Sequence, residues 1–179
     1  MMRPLLLHIG LLLLLALTAC SLLPVSYTPV AVDGRYALSL PTFLSETTDL
    51  NDEAALQAKA PYWGLFVIGH HDPWEELRRK RPSATLRTFY SFHQENLLLN
   101  LEQAETSPPD SLRLGGLPAL SGTLSGQFQG EEVTYRLTVI GGETYLYQLL
   151  CWYPPRRAGE LAPIVDSLLH SFRELPEVP

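Results

Sequence analysis

The stretch HHDPWEE, residues 70–76, places two histidines and three carboxylates within seven positions. Imidazole nitrogens and carboxylate oxygens bind metal ions, but a metal site needs three or four of them around one point. Adjacent histidines on a strand point to opposite sides of a sheet, and Asp72 stands at the expected N-cap of a helix. His70, His71 and Asp72 are the candidates for a metal site. The pattern favours a capped helix with solvated charges, and we predict neither a metal nor a cofactor.

A second group of acids precedes this stretch, at Glu46, Asp49, Asp52 and Glu53. Their oxygens could coordinate Ca²⁺, but the glycine-containing spacing of an EF-hand loop is absent. A solvated acidic loop is the simpler interpretation, with calcium binding as its alternative.

Nucleophilic catalysis has little support in the sequence. GTLSG places Ser125 one position too late for the G-x-S-x-G elbow of serine hydrolases, and inside a predicted strand. His93 lies on the apolar face of a predicted helix, which is typical of a core histidine. We therefore predict no catalytic residue and no enzyme, unless the fold brings a histidine beside a serine or a carboxylate.

Two further features could bind a partner. The run RRKR, Arg78–Arg81, is most simply the solvated end of a helix, with docking to an acidic partner or a phosphate-bearing glycan as the alternative. Trp63, Trp74, Tyr90 and Trp152 could line a groove or serve equally well as core. The sequence does not identify which residues bind.

The N-terminal segment carries Arg3, an apolar run and small residues, the layout of a secretory signal. Leu17-Thr18-Ala19-Cys20 resembles the bacterial lipobox, which implies removal of residues 1–19 and fatty acyl chains, such as palmitate, on Cys20. Several acyl chains on one residue anchor a protein stably, and Ser21 favours the outer membrane, facing the periplasm. The alternatives are an ordinary signal peptide or an uncleaved anchor.

The rest of the chain is acidic and of single-domain size. The 179-residue sequence has a formal net charge of −6, and 160 residues would remain after cleavage. This charge excludes nucleic acid as the expected partner, because nucleic-acid binding requires a basic surface. Cys151 would have no disulfide partner if Cys20 is acylated, and its apolar context predicts an inert buried thiol.

Periodicity predicts strands and helices throughout residues 34–175, after a tether over residues 20–33. Strands are expected at 35–41, on both sides of Pro61, and three times between 120 and 153, where Gly141-Gly142 would form a two-residue hairpin turn. Helices are expected after Asp72, from Ser83 to about Leu101, and at 159–172, with a loop over 103–116. The strand ETYLYQLLCWY is apolar on both faces, which requires cover on both. The predicted fold is therefore one α/β domain, with a mainly antiparallel sheet and helices on both faces of it.

The order of these elements is similar to that of the PsbP-like superfamily. The resemblance covers nearly all of residues 34–174 and is carried by YALSLPTFLSETTDLNDEAALQ, YRLTVIGGETYLYQLLCWYP and IVDSLLHSF. Its closest local matches are Tyr145, Trp152 and Ser171-Phe172, which in that superfamily mostly build the core. The resemblance implies the α/β/α sandwich and roles in binding and assembly, and no catalytic residue carries over.

The function expected from these observations is binding or assembly in the cell envelope, by a lipid-anchored domain with a protein partner. A periplasmic carrier of a small ligand or a metal ion is the alternative. The sequence does not name the partner, the pathway or the oligomeric state.

Overall fold

The computed structural model describes residues 25–176, in which two antiparallel sheets are combined with three α-helices. The larger sheet has the strand order β3-β4-β5-β10-β9-β8-β6, and β7 pairs with another part of β8. Its strands are β3 (Ser45–Glu46), β4 (Leu56–Ala60), β5 (Leu65–Pro73), β6 (Glu102–Thr106), β7 (Asp110–Leu114), β8 (Leu117–Phe128), β9 (Glu131–Gly141) and β10 (Tyr145–Tyr153). The smaller sheet joins β1 (Tyr27–Val32), β2 (Tyr36–Pro41) and β11 (Arg173–Glu174) in the order β1-β2-β11.

The helices lie on both faces of the larger sheet. They are α1 (Trp74–Lys80), α2 (Leu86–Leu98) and α3 (Ala158–His170), the last preceded by a 3₁₀ turn at Pro155–Arg157. One face packs against α2, and the other packs against α3 and the smaller sheet. This is the predicted sandwich with a mainly antiparallel sheet.

β10 runs through the centre of this sandwich and is apolar on both faces, as its sequence indicated. Tyr147, Leu149 and Cys151 belong to the core beneath α3, whereas Leu150 and Trp152 lie on the side of α2. In α3, the predicted apolar stripe is buried at Leu161, Ile164, Val165 and Leu168. Burial of such stripes contributes most of the stability of helices in globular proteins.

The structure corrects the predicted start of α1. Asp72 lies within β5, opposite Leu146 of β10, and does not cap the helix. Pro73 occupies the N-cap position and offers no side-chain hydrogen bond. Strand pairing with β10 continues as far as Tyr145 opposite Pro73, so the helix begins later than the sequence pattern indicated.

The tether is also shorter than expected. Residues 27–32, within the predicted tether of 20–33, form β1 and pair with β2 along their whole length. Pro29 is compatible with this strand because β1 is an edge strand, where an absent backbone N–H removes no required ladder bond.

The expected loop over 103–116 is largely strand, because β6 and β7 both pair with the long strand β8. These edge strands are polar and flank Pro108-Pro109, so they show no apolar period. α2 ends at Leu98, three residues before the predicted Leu101.

The Gly141-Gly142 turn differs in its geometry. Gly141 is the last residue of β9 and pairs with Leu146, so that the connection extends to Thr144. Neither glycine is among the residues with positive φ. A Cβ on Gly142 would collide with Glu174 and with the backbone and side chain of neighbouring β10 residues. Gly142 is therefore required by close approach of other groups, not by backbone conformation.

Candidate binding groove

Three aromatic side chains form a row across the centre of the larger sheet. Phe66 of β5 is the register partner of Trp152 of β10, and Trp152 is the register partner of Tyr135 of β9. The Phe66 and Trp152 rings are stacked, with centroids 5.2 Å apart and planes 10° from parallel. The Tyr135 ring lies 6.3 Å from the Trp152 ring. Cross-strand pairing thus fixes the positions of all three rings.

This aromatic row is only partly covered by α2. The next row along the strands, Ile68, Leu150 and Leu137, is buried beneath α2. In contrast, the side chains of Phe66, Trp152 and Tyr135 each remain partly accessible to solvent. The end of α2 therefore forms one wall of an opening, and the aromatic row forms its floor.

We call this opening the aromatic groove; its volume is about 600 Å³. That volume lies within the range of about 300–1,000 Å³ typical of ligand pockets. At its rim, Phe128 is 40% exposed, and Leu99, next to the lining residue Asn100, is 83% exposed. The lining residues are Leu50, Gly64, Phe66, Ile68, Leu97, Asn100, Phe128, Glu131, Glu132, Val133, Tyr135, Leu150, Trp152, Tyr153 and Pro154.

The charged groups of the groove are all negative. Glu131 and Glu132, at the start of β9, are the only charged residues among its described lining residues. Lys59 lies opposite Phe66 on β4, but its ammonium group is paired with Asp49. Burial raises the pKa of Tyr135, so its hydroxyl remains neutral and can donate a hydrogen bond. The groove therefore suits an apolar ligand that carries positive charge.

The structure places the two adjacent histidines on opposite sides of the sheet. His71 points to the α3 side, where its ring contacts Tyr36 and Tyr145 edge-on. His70 is on the α2 side, close enough to influence His93. Among residues 25–176, no group of three or more histidine, cysteine or acidic side chains is placed to hold a metal ion. No such group contains the candidate ligands His70, His71 and Asp72, or the acids Glu46, Asp49, Asp52 and Glu53.

Among residues 25–176, His71 also has no catalytic partner within hydrogen-bond distance. Its Nε2 lies 3.9 Å from Asp33 Oδ2, which is too long for a hydrogen bond. Burial, followed by the nearby Arg35 cation, lowers the pKa of His71. In the described part of the chain, no histidine donates to or accepts from a serine hydroxyl or a carboxylate.

The other candidates for catalysis are Ser125, His93 and Cys151, and each lies in surroundings typical of a structural residue. Ser125 lies within β8, opposite Thr134 of β9. His93 contacts the Phe89 ring at 4.3 Å, and burial lowers its pKa to about 4. Cys151 is fully buried, which raises the pKa of its thiol to about 12. A thiol with this pKa is not a nucleophile at neutral pH.

The four aromatic residues singled out in the sequence have different surroundings. Trp152 lines the aromatic groove, whereas Tyr90 is buried in the core beneath α2. Trp74 is buried, and its indole Nε1 donates to the Gly142 carbonyl at 3.0 Å. Trp63 stacks on Phe43 on the opposite side of the sheet.

Neither Phe66 nor Tyr135 was predicted from the sequence to line a groove. The feature that groups them with Trp152 is the register of three neighbouring strands. The β9–β10 hairpin could have brought Tyr135 and Trp152 together, but the β5–β10 pairing joins residues far apart in the chain, and no local pattern indicates it.

Cys20, the predicted lipid attachment site, and the predicted signal peptide lie outside the described residues. No helix within residues 25–176 is long and apolar enough to cross a bilayer.

Comparison with known proteins identifies the fold. No protein-family model matches the sequence, and no curated protein matches it. LpqN of Mycobacterium tuberculosis, involved in cell envelope biogenesis, is 14% identical, with a TM-score of 0.61 over 85% of this chain and 92% of LpqN. The cyanobacterial PsbP of Synechocystis sp. PCC 6803 is 9% identical, with a TM-score of 0.61 over 86% of this chain and 95% of that protein.

A third similar structure is PA94 of Pseudomonas aeruginosa, a protein of unknown function. It is 12% identical, with a TM-score of 0.50 over 86% of this chain and 98% of PA94. These likenesses confirm the PsbP-like fold implied by the sequence resemblance. At such low identity they identify the fold alone.

Proposed function

Starting from the PsbP-like fold, we propose that this protein is a non-catalytic binding protein of the bacterial cell envelope. Its aromatic groove would hold an apolar, positively charged segment of a protein partner. The observation that carries this proposal is the row formed by Phe66, Trp152 and Tyr135, which is fixed by strand pairing and left partly uncovered.

The aromatic row has the properties of a binding hot spot. Tryptophan and tyrosine contribute most when they lie in rigid, partly desolvated pockets, and here they need little reordering because neighbouring strands hold them. Aromatic faces attract cations as well as apolar groups. Glu131 and Glu132 add negative charge at the rim, which favours lysine or arginine beside the apolar residues of the partner.

The peptide test uses two dye-labelled peptides with the same leucines and phenylalanines, one containing lysines and the other glutamates. We expect the lysine peptide to bind the full chain more tightly, as measured by fluorescence anisotropy. Trp152→Ala should weaken binding by about tenfold or more, the size of a typical hot-spot loss. Trp63→Ala, on the opposite side of the sheet, is the matched control and should retain binding.

The acidic rim has its own matched pair of variants. Glu131→Gln with Glu132→Gln should remove the preference for the lysine peptide. Glu75→Gln with Glu76→Gln, two exposed acids of α1, should preserve it. Equal binding of both peptides by the native chain, or equal losses in Trp63→Ala and Trp152→Ala, would contradict the proposed site.

Placement in the envelope is the second part of the proposal. The lipobox-like sequence ending at Cys20 and the fold shared with LpqN support it. Mass spectrometry of the protein purified from membranes should find a chain that begins at Cys20 and carries acyl groups. An intact leader with a free Cys20 thiol would contradict lipid anchoring, without affecting the groove.

A small apolar ligand is the second candidate for the groove, because a volume of about 600 Å³ also accommodates one. N-phenyl-1-naphthylamine, a neutral apolar dye, distinguishes the two. Dye fluorescence that depends on Trp152, together with no binding of either peptide, would favour a small-ligand carrier.

A further inference from the structure

The structure contains a concentrated basic surface that the aromatic groove does not use. We call it the basic face: Arg78, Arg79, Lys80 and Arg81 at the end of α1 and in the following loop, and Arg87 in the first turn of α2. All five are exposed. They make up five of the 13 lysines and arginines of the chain, within ten consecutive residues that include no acid.

These cations are not neutralised by neighbouring acids. Within residues 25–176, none of the five takes part in an ion pair, although Glu75 and Glu76 stand in the first turn of the same helix. Because the whole chain has a formal charge of −6, the residues outside this stretch together carry −11. The positive potential is therefore local, on a protein that is otherwise strongly negative.

An apolar pocket lies within the basic face, between α1 and α2. Its volume is about 420 Å³, and Leu77, Ala84, Phe89 and Phe92 are among its lining residues. Lys80 and Arg81 line it as well, so cations and apolar side chains meet in one opening.

Two of the guanidinium groups are held against aromatic rings. Arg81 lies over the Phe92 ring at 4.3 Å, and Arg78 lies over the Trp74 ring at 4.9 Å. Phe92 itself is 36% exposed. Stacking restricts these arginines without neutralising them, so their hydrogen-bonding groups remain available to an anion.

We propose that the basic face docks on an anionic phospholipid bilayer. A bilayer supplies phosphate groups for the five cations and an apolar interior for Phe92 and the pocket, without requiring a complementary shape. The acidic remainder of the chain is repelled by the same surface, which orients the protein with the basic face toward the lipid. Along α2, Leu97 of the aromatic groove lies about 15 Å from Arg87 and about 8 Å from Phe92. The groove shares no described lining residue with the pocket of the basic face, so docking leaves its lining uncovered.

The test uses the full chain reconstituted in vesicles of phosphatidylcholine alone or mixed with phosphatidylglycerol. A genetically encoded coumarin amino acid replaces Ser83 in the basic face or Ser45, an exposed residue of β3. Accessibility is measured by quenching with acrylamide, a neutral quencher. Any N-terminal anchor contributes equally in both vesicles, so the comparison isolates the basic face and does not depend on the groove.

In vesicles that contain phosphatidylglycerol, acrylamide should quench coumarin at position 83 at least about twofold less than in vesicles of phosphatidylcholine alone. Coumarin at position 45 should be quenched equally in both vesicles. Each basic residue near an anionic leaflet changes partitioning by about fivefold, so Arg78→Glu with Arg79→Glu should abolish the protection. Raising the salt concentration to about 1 M, where the Debye length is about 3 Å, should also abolish it.

The matched control is Arg156→Glu with Arg173→Glu, two exposed cations outside the basic face. It changes the net charge equally and should preserve the protection. Equal quenching in the two vesicles, or equal loss in both double variants, would overturn the proposal. Protection of position 83 by an acidic peptide, with none by phosphatidylglycerol, would overturn it in favour of a protein partner.

Discussion

The Trp152 ring stacks on the Phe66 ring across the β5–β10 pair, with 5.2 Å between their centroids. The two residues are 86 positions apart in the chain, and their contact exists only because β10 is inserted between β5 and β9. The floor of the aromatic groove is thus a product of the sheet topology. Its rigidity should be measurable as a coupling between the two side chains.

Because the two rings stack, the losses in free energy of unfolding caused by Phe66→Leu and by Trp152→Leu should not be additive. Aromatic pairs contribute about 0.5–1.5 kcal/mol beyond the area they bury, so a double-mutant cycle in urea should give a coupling energy in that range. The comparison cycle pairs Phe66→Leu with Phe172→Leu, in the separate core beneath α3. That cycle should be additive within about 0.5 kcal/mol, and a coupling of equal size there would contradict direct stacking.

The Tyr90 hydroxyl occupies the space where Gly122 would carry a Cβ. Gly122→Ala should therefore reduce the free energy of unfolding by about 1–3 kcal/mol, the usual effect of overpacking. Tyr90→Phe in the same chain should restore most of this loss. The Tyr90 hydroxyl has no hydrogen-bond partner in the described part of the chain, so Tyr90→Phe alone should leave stability unchanged or raise it.

Gly159→Ala is the control for this pair of variants. Gly159 lies in the first turn of α3, and beyond its chain neighbours and the nearby helix backbone no described atom stands within 4 Å of the position its Cβ would take. Alanine is favoured over glycine in helix interiors by about 1 kcal/mol, so this variant near the helix start should be neutral or stabilised. If Gly122→Ala were also neutral or stabilised, the close approach of Tyr90 would be contradicted.

The sequence predicted the fold best where a single periodicity extends over a whole element. The apolar stripe of α3 and the two apolar faces of β10 required cover on both sides of the sheet, and the structure has it. Prediction failed where pairing partners determine the conformation. β1, β6 and β7 are edge strands with polar or proline-containing sequences, and they form because β2 and β8 offer backbone hydrogen bonds.

The candidate site was likewise predictable where residue type alone is informative and not where strand pairing decides. Trp152 was recognised as able to line a groove, since its residue type alone suggests it. Its neighbours Phe66 and Tyr135 could be grouped with it only through the register of three strands, which a single sequence does not contain. The separation of His70 from His71 follows from strand alternation and was predictable, whereas the start of α1 depended on how far β5 pairs with β10.

Burial of Cys151 predicts a loss of stability at alkaline pH. The thiol has a pKa of about 12 when folded and an ordinary value near 9 when unfolded. Above pH 9 the unfolded chain releases a proton that the folded chain retains. This residue's contribution should therefore fall by about 1.4 kcal/mol per pH unit between pH 9 and pH 12.

Cys151→Ala isolates this contribution from the tyrosines that titrate in the same range. Urea unfolding at several pH values should show a shallower decline for the variant than for the native chain, although the variant is less stable at neutral pH because of the cavity it leaves. The native thiol should also resist iodoacetamide until urea unfolds the protein. Parallel stability profiles, or rapid alkylation of Cys151 in the folded protein, would contradict an inaccessible thiol.

Burial of His93 predicts that the folded protein loses stability as the pH falls through the acidic range. Its pKa is lowered from 6.5 to about 4, mainly by burial and then by the neighbouring His70 and Arg81. Between pH 6.5 and pH 4 the unfolded chain takes up a proton that the folded chain does not. Stability should therefore decline as the pH falls, by at most about 1.4 kcal/mol per pH unit from this residue.

Two measurements check this dependence. The stability difference between the native chain and His93→Gln should be constant above pH 7 and should shrink as the pH approaches 4. The His93 ring signal in NMR should titrate near pH 4. A ring titrating near 6.5, or a stability difference independent of pH, would contradict the burial of His93.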